Sequence, residues 1–464
     1  MPVYFILSAV LKEGNMCIGN KNDLLYKIPN DFKHFKTITK GNTVVMGNKT
    51  WESLPTKPLP GRKNIILSRT LKHNKNSPYI YMNFSQFAYY VTMNPDEQIY
   101  CIGGSCIFGL LMGGVRLRPE KIILTHIKPD KKTLSELEYD TIFDTNFFSN
   151  YRLYAYSGEE NYMGLKYRFL FYRFSYKKTE EVKYLHTLQS LMDIKEQRPD
   201  RTGVGVYSSF VKQLKFDISN SIPMITTRNI SFKNITEELL WICRGETDAN
   251  ILKSKGVNIW NGNTTREFLD SRNLKYREGI TGPLYGFQLR HFGSKYPFKV
   301  SGFDQLEYVE RLLKTDPFSR RIVINYLNPP DYDKAVLLPC HNYIQFYVEE
   351  KAGVKYLSCF FNMRSSDFAL ASCYNIVSYS ILTYILALKC DMKPKDIVYN
   401  AVDCHIYSNH IEGIREQLKR YPRPFPSLHV NEDIKYKTWE SIRYSDLQLV
   451  GYFPQKSIKF DMAV

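Results

Sequence analysis

The sequence has no Cys-x-x-Cys pair and no group of His and Cys at metal-ligand spacing. A bound metal is therefore not expected. Its nine cysteines are an odd number without framework-like spacing, which fits free thiols in a reducing compartment better than a disulfide scaffold. The longest apolar run, Tyr379 to Leu388, is broken by Ser, Thr and Tyr. It falls well short of the ~20 residues that a bilayer span requires. The apolar stretch Pro2 to Val10 lacks a basic leader and reads as a buried strand, not a signal peptide. Repeats, low-complexity tracts and long blocks of like charge are also missing. These absences argue against a membrane protein, a secreted disulfide scaffold and a charged nucleic-acid tail, and they favour a cytoplasmic protein.

What is present is a globular composition. The 464 residues are 44% hydrophobic and 23% charged, enough for two or three domains with real cores. The net charge is +17, of which residues 1–178 carry +11 and the remainder +6. A dispersed basic surface points to small anionic partners. No RNA-binding motif or stacking platform accompanies it, so RNA binding is the weaker reading. Residues 1–175 alternate β-rich runs (Val3–Val10, Asn42–Met46, Asn64–Leu67, Gln98–Ile102, Lys121–Ile127, Tyr167–Ser175) with short polar or helical pieces. This is the pattern of an α/β domain with a central mixed sheet. From Glu180 to Glu196 the apolar spacing becomes helical. Long helices are predicted at Ile235–Arg244, Asp304–Lys314 and Cys373–Lys389, giving a second, α+β part. The junction near 175–180 lacks Gly, Ser or Pro richness, so the parts are expected to abut, as domains 1–176 and 177–464.

In the first part, Asp31 follows a proline inside an apolar stretch, where a helix can start. A carboxylate there suits a nitrogen heterocycle, with burial raising its pKa; a simple helix N-cap is the plainer alternative. Ile102-Gly103-Gly104-Ser105 follows a strand and opens a helix, a turn whose backbone N–H groups can cradle a pyrophosphate. Leu67-Ser68-Arg69 ends another strand with a hydroxyl and a guanidinium, suited to a phosphate monoester or simply to a polar strand end. With Ala9, Ile18-Gly19, Val45-Met46-Gly47, Thr50-Trp51-Glu52-Ser53, Pro58 to Asn64 and Leu124 to Ile127, these pieces resemble dihydrofolate reductase over residues 3–175. The resemblance implies hydride transfer from NADPH. It assigns Asp31 to the pterin nitrogens, Thr125 to orienting Asp31, Phe35 to the benzoyl group and Arg62 to the folate glutamate, with Ala9 also at the folate. Ile18, Gly19, Thr50, Leu67 and Gly103, Gly104 and Ser105 would hold NADPH, and Ser68, Arg69 and Lys49 its 2′-phosphate. Leu25-Tyr26, Asn48 and Ser105 depart from the family's usual residues.

In the second part, Leu337-Leu338-Pro339-Cys340-His341 precedes the apolar strand Ile344 to Val348. A Cys in a Pro-constrained turn is a candidate nucleophile if cations favour its thiolate; a buried inert Cys is the alternative. Arg201, Arg320-Arg321 and Arg364-Ser365, each near hydroxyls, look like a phosphate site or separately like surface residues. Together with Glu237 to Trp241, Ile259-Trp260, Gly282 to Gly286, Gln345-Phe346-Tyr347, Asp367, Asn375, Asp403 to His410 and the final Met462-Ala463-Val464, this part resembles thymidylate synthase over 180–464. The resemblance implies that Cys340 attacks C6 of dUMP and that 5,10-methylenetetrahydrofolate donates the one-carbon unit. Arg201, Arg364 and Ser365 would bind the phosphate, joined by Arg320 and Arg321 from the other subunit of a homodimer. Asn375 would read the uracil, and His405 and Tyr407 the ribose. Glu238 would organise proton transfer, with Tyr285 near the C5 proton. Trp260, Asn263 and Asp367 would contact the folate, and the Val464 carboxylate would close the site. Four guanidinium groups are expected to lower the pKa of the Cys340 thiol. The departures are Leu289, Leu327, Leu338, Met363, Ala371, Cys373 and Tyr374.

Reductase followed by synthase on one chain resembles the fused enzyme of protists and plants. In that fusion the second part makes dihydrofolate and the first consumes it. A rival reading, motivated by Ala371 and Cys373, keeps the reductase active and the synthase part as a dimerisation scaffold.

Overall fold

The computed structural model describes residues 3–71, 76–113, 117–175, 179–200, 203–300 and 302–462. The chain separates into two compact units. One holds residues 1–179 with 421–424 and 453–456; the other holds 180–420, 425–452 and 457–464.

The first unit is built on eleven strands: β1 (Val3–Lys12), β2 (Asn15–Gly19), β3 (Thr43–Gly47), β4 (Lys63–Leu67), β5 (Ile80–Met82), β6 (Ile99–Gly103), β7 (Lys121–Lys128), β8 (Thr141–Phe143), β9 (Tyr151–Tyr156), β10 (Glu160–Tyr162) and β11 (Leu165–Phe174). Its helices are α1 (Pro29–Thr39), α2 (Asn48–Ser53), α3 (Phe84–Met93), α4 (Ser105–Gly113) and α5 (Lys131–Glu136). The main order is β10-β11-β7-β1-β6-β3-β4-β5, with β2 and β8 beyond β1 and β9 on β11. Strands β7, β1, β6, β3, β4 and β5 run parallel, and β11 is antiparallel to β7. Parallel strands covered on both faces need continuous apolar runs. Val3 to Ile6 and Val44 to Met46 are buried residue after residue, as that requires. These strands were legible for this reason, and each agrees with its sequence range to within two residues.

The second unit packs helices on a sheet ordered β12 (Val206–Asp217), β17 (Lys393–Tyr407), β15 (Val354–Met363), β14 (His341–Lys351) and β13 (Val323–Asn325), with β16 (Ser366–Asp367) on β17. Its helices are α6 (Glu181–Met192), α7 (Phe232–Cys243), α8 (Asn250–Ser254), α9 (Arg266–Ser271), α10 (Tyr285–Arg290), α11 (Gln305–Thr315), α12 (Ser372–Lys389) and α13 (Ile411–Leu418). Helix α12 is apolar all round and central, with Ile376, Val377, Ile381, Leu382, Ile385 and Leu386 buried. Both units match the predicted fold classes. The junction predicted at 176/177 falls on residues 176–178, outside the described ones. Among the described residues no helix is long and apolar enough to cross a membrane, and no cluster of metal-ligating side chains appears.

Leu386 is fully buried, and truncating such a side chain loses both its transfer energy and the packing around it. Leu386→Ala should cost ~2–5 kcal/mol, read by chemical denaturation through the fluorescence of Trp241, Trp260 and Trp439.

Candidate active sites

Asp31 lies in the first turn of α1. The helix is capped by Ile28 without a side-chain bond, and Pro29 supplies the first turn. Asp31 is therefore not the N-cap, and its carboxylate is free to face the sheet, where it accepts a hydrogen bond of 2.6 Å from the Thr125 hydroxyl on β7. Burial pushes its pKa up, and the Thr125 bond opposes that shift. Ala9 is buried on β1 opposite His126, one residue beyond Thr125 on β7. One turn along α1, Phe35 lies under the Arg62 guanidinium, 5.6 Å from ring centroid to carbon. Arg62 is held by the Pro60 carbonyl and by the Thr39 hydroxyl at the end of α1.

The nucleotide side is formed by strand ends. Gly103 closes β6 with φ +119°, a backbone region that favours glycine. A Cβ on Gly104 would come within 3.3 Å of the Thr50 hydroxyl, so a side chain there would fill the space over the turn. The first N–H groups of α4 have no intrahelical partners. This glycine cradle at a helix start fits a pyrophosphate. Ile18 and Gly19 end β2 beside β8. Leu67 ends β4. Ser68 uses its hydroxyl to accept from the Thr70 and Leu71 N–H groups, which shapes the turn that presents Arg69. Lys49 and Thr50 share α2, where Asn48 donates to Glu52. The Ser105 hydroxyl donates to the Ile142 carbonyl, so it is engaged with β8 and its backbone is the part that faces the cradle.

In the second unit, Cys340 ends an irregular segment just before β14. Its N–H donates to the Tyr285 hydroxyl at 2.9 Å. Arg364, just past β15, holds the segment: its Nε donates to the Pro339 carbonyl, its Nη2 to the Leu338 carbonyl, and its backbone N–H to the Cys340 carbonyl. The same Nη2 is 3.7 Å from the Cys340 sulfur. Glu238 on α7 is half-buried and accepts from the Trp260 indole at 2.9 Å. Burial raises its pKa to about 7. Tyr285 stands edge-on to Trp260, 6.1 Å between ring centroids, so Cys340, Tyr285, Trp260 and Glu238 form one connected group. His341 is half-buried, shares a 2.8 Å bond with Tyr379, interacts with Asn375 on α12, and is held neutral with a pKa of about 4. His405 and Tyr407 neighbour one another at the end of β17, with rings 5.2 Å apart. Asp367 on β16 and Asn263 are largely buried, and Ser365 is half-buried.

Three expectations need correction or lie out of reach. Within the single chain the Cys340 thiol is not lowered: burial pushes its pKa up, and among the described residues Arg364 alone opposes the shift. Within one chain Arg320 and Arg321 are exposed on the turn between α11 and β13, away from the sulfur. Arg201 and Val464 lie outside the described residues. Sequence reasoning also gave no role to His341 or His410. Both were quoted inside motifs, but their partners Tyr379 and Asp367 are distant in the chain.

The departures are absorbed by packing. Leu289 and Met363 are buried in the core, and the Cys373 sulfur accepts a 3.2 Å contact from buried Arg228.

Comparison with known proteins gives two adjoining matches. The family model for dihydrofolate reductase matches residues 5–176, and that for thymidylate synthase residues 182–464. The bifunctional dihydrofolate reductase-thymidylate synthase of Paramecium tetraurelia is 37% identical over 99% of this chain and 98% of its own length. That of Zea mays is 35% identical over 97% and 95%, and that of Leishmania major 32% over 96% and 93%. The chain belongs to the bifunctional dihydrofolate reductase–thymidylate synthase family. It is an enzyme with two activities: it methylates dUMP to dTMP with 5,10-methylenetetrahydrofolate and reduces the resulting dihydrofolate with NADPH. Two complete catalytic parts are favoured over a reductase carrying an inert scaffold.

Two predictions follow from the carboxyls. Thr125→Val removes the bond that lowers the Asp31 pKa, so the pKa that Asp31 contributes to the reductase pH–rate profile should move up. Glu238 binds its proton more tightly folded than unfolded, so between the unfolded value near 4.5 and about 7 the native state holds more protons. Stability then falls as pH rises through that window. Glu238→Gln has no such proton to lose, so its melting temperature should gain on wild type between pH 4.5 and 7 and keep that gain above.

Proposed function

We propose that residues 1–176 form the reductase and 177–464 the synthase, with roles as follows. In the reductase, the observation that carries the reading is the Asp31 carboxylate bonded to buried Thr125 beside the Phe35–Arg62 stack. Asp31 holds the pterin by its ring nitrogens and lets a proton reach it, Phe35 packs on the benzoyl group, and Arg62 meets the glutamate carboxylate. Ala9 lines the folate side. NADPH supplies the hydride when bound. Thr50 and the turn Gly103 to Ser105 hold its pyrophosphate, Ile18, Gly19 and Leu67 border it, and Ser68, Arg69 and Lys49 take its 2′-phosphate.

In the synthase, Cys340 is the nucleophile toward C6 of dUMP. Arg364 has already committed Nε and Nη2 to the segment before Cys340, so it offers its remaining amine to the phosphate, beside Ser365 and Arg201. His405 donates from Nδ1 to the Asp403 carbonyl, 2.8 Å away, since a carbonyl only accepts. With Nδ1 so engaged, Nε2 is left for a ribose hydroxyl, next to Tyr407. Asn375 reads the uracil edge. Glu238, with a pKa near neutrality, gives and takes protons at little cost, and Tyr285 stands by the C5 proton. Trp260, Asn263 and Asp367 contact the folate, which the Val464 carboxylate encloses.

The active form is a homodimer. On β14, Ile344, Phe346 and Val348 are buried, while Tyr343 and Tyr347 on the opposite face are exposed. Phe210 on β12 is 82% exposed. A solvated sheet face ordinarily carries polar residues; this one carries aromatics, as a face that meets a second copy would. The dimer then brings Arg320 and Arg321 to the neighbouring site. The nine cysteines are all free, in keeping with a cytoplasmic location.

The test combines two inactive variants. Cys340→Ser removes the nucleophile and Arg320→Ala the partner's cation; each is assayed alone first, by dihydrofolate formation from dUMP and methylenetetrahydrofolate. Co-purified heterodimers should regain activity, because one of their two sites holds both intact residues. Two dead parents with no rescue would refute the shared site, and full activity in Cys340→Ser would refute the nucleophile.

A further inference from the structure

His410 lies between the folate-facing part of the synthase and residues 458–461. It ends a short 3-10 turn, Ser408–His410, that leads into α13, and its side chain is fully buried. Its Nε2 is 2.7 Å from the Asp461 carbonyl oxygen. A carbonyl only accepts, so Nε2 carries the hydrogen. In a neutral imidazole that leaves a bare lone pair on Nδ1. Yet Nδ1 is buried without a hydrogen-bond partner, and the nearest charged atom is Asp367 Oδ1, 3.8 Å away. Lone pair would face carboxylate inside the protein, which is unfavourable on both sides.

The remaining neighbours do not relieve this. Asp367 Oδ1 already accepts from the Leu370 N–H at 3.0 Å. His405 on β17 and Arg228 also lie in its field. Arg228 spends Nη2 on the Ala369 carbonyl and the Cys373 sulfur, and its face on the Phe460 ring, 4.9 Å away. Cys404, Cys373 and Tyr399 are near but buried, with pKa values raised by burial, so none is a ready anion. Asp461 senses His410 from the chain's end. The end itself is seated closely: Phe460 lies 5.0 Å from the His410 ring, and a Cβ on Gly413 of α13 would come within 2.7 Å of Phe460.

We infer that His410 and Asp367 hold one additional proton between them, and that His410 is a positioning residue which ties the seating of residues 458–461 to the state of the folate-contacting carboxyl. This rests on the proposed role of Asp367 at the folate. With the proton present, the Nδ1–H faces the Asp367 carboxylate across 3.8 Å as an ion pair. When it leaves, a lone pair opposes the carboxylate, and the repulsion acts on the same ring that holds the Asp461 carbonyl through its Nε2–H.

His410→Gln separates this from a merely structural role. Gln keeps a donor near the position of Nε2 for the Asp461 carbonyl and offers nothing toward Asp367. Synthase turnover is followed by tritium release from C5-tritiated dUMP, which the reductase does not affect. The expected result is a KM for methylenetetrahydrofolate at least tenfold higher, a KM for dUMP within twofold of wild type, and loss of the high-pH fall in kcat/KM for the folate that wild type shows. Wild-type folate KM and pH profile in the variant would overturn the inference. So would equal damage to both KM values with a lowered melting temperature. Nitrogen-15 spectra of His410 in the wild-type chain give an activity-free arm. Both ring nitrogens should carry hydrogen at neutral pH, and a bare Nδ1 would overturn the pair. If wild type forms no thymidylate while the spectra show both hydrogens, the proposed synthase role fails and the pair stands.

Discussion

The synthase site depends on one arginine's grip on an irregular segment. Leu338, Pro339 and Cys340 have no regular secondary structure to satisfy their carbonyls, and all three are taken by Arg364, two by its side chain and one by its backbone N–H. Charge-assisted bonds of this kind are stronger than neutral ones. Their fork geometry also fixes the direction in which Cys340 points. The Cys340 N–H is fixed in turn by Tyr285, and Tyr285 by its packing with Trp260, which holds Glu238. Cys340, Glu238 and the Trp260 indole thus share one chain of contacts. A lysine at 364 would supply charge but not the planar fork.

The reductase site rests on a simpler device. A carboxylate is placed on the first turn of a helix where the cap position is filled by an apolar residue, so it does not turn back to the helix N–H groups. Among the described residues the sheet supplies its hydrogen-bond partner, Thr125. Since Thr125 sits on a strand buried on both faces, the carboxyl's surroundings are set by the core and not by a loop.

Much of this was legible in the sequence, and the failures have physical causes. Strands β1, β3, β4, β6 and β7 announced themselves because a covered parallel sheet demands unbroken apolar runs. Strands β12 and β17 did not. They are long and interrupted by Ser208, Ser209, Lys212 and Asp403, since one sheet face is open within the single chain. Asp31, Cys340, Arg364 and Glu238 were singled out from their motifs, and the structure sets Asp31 against Thr125 and joins the other three through Tyr285 and Trp260. The Cys340 thiol is raised within the single chain because burial acts on it there, and among the described residues of that chain Arg364 alone opposes the shift; the other cations that the sequence reading counted are those proposed to come from the partner or lie outside the described residues. The His410–Asp367 contact left no trace, because nothing in spacing links a 3-10 turn to a strand that is not its neighbour in the chain.

The make-up of the first unit has a consequence for biosynthesis. Residues 421–424 and 453–456 belong to it, although they are translated after nearly all of the second unit. Chains emerging from the ribosome generally fold domain by domain from the N-terminus. Here the sheet of the first unit can assemble early, but its full complement of residues arrives only after residue 456 has been added. A ribosome that stalls before residue 421 therefore releases neither unit whole.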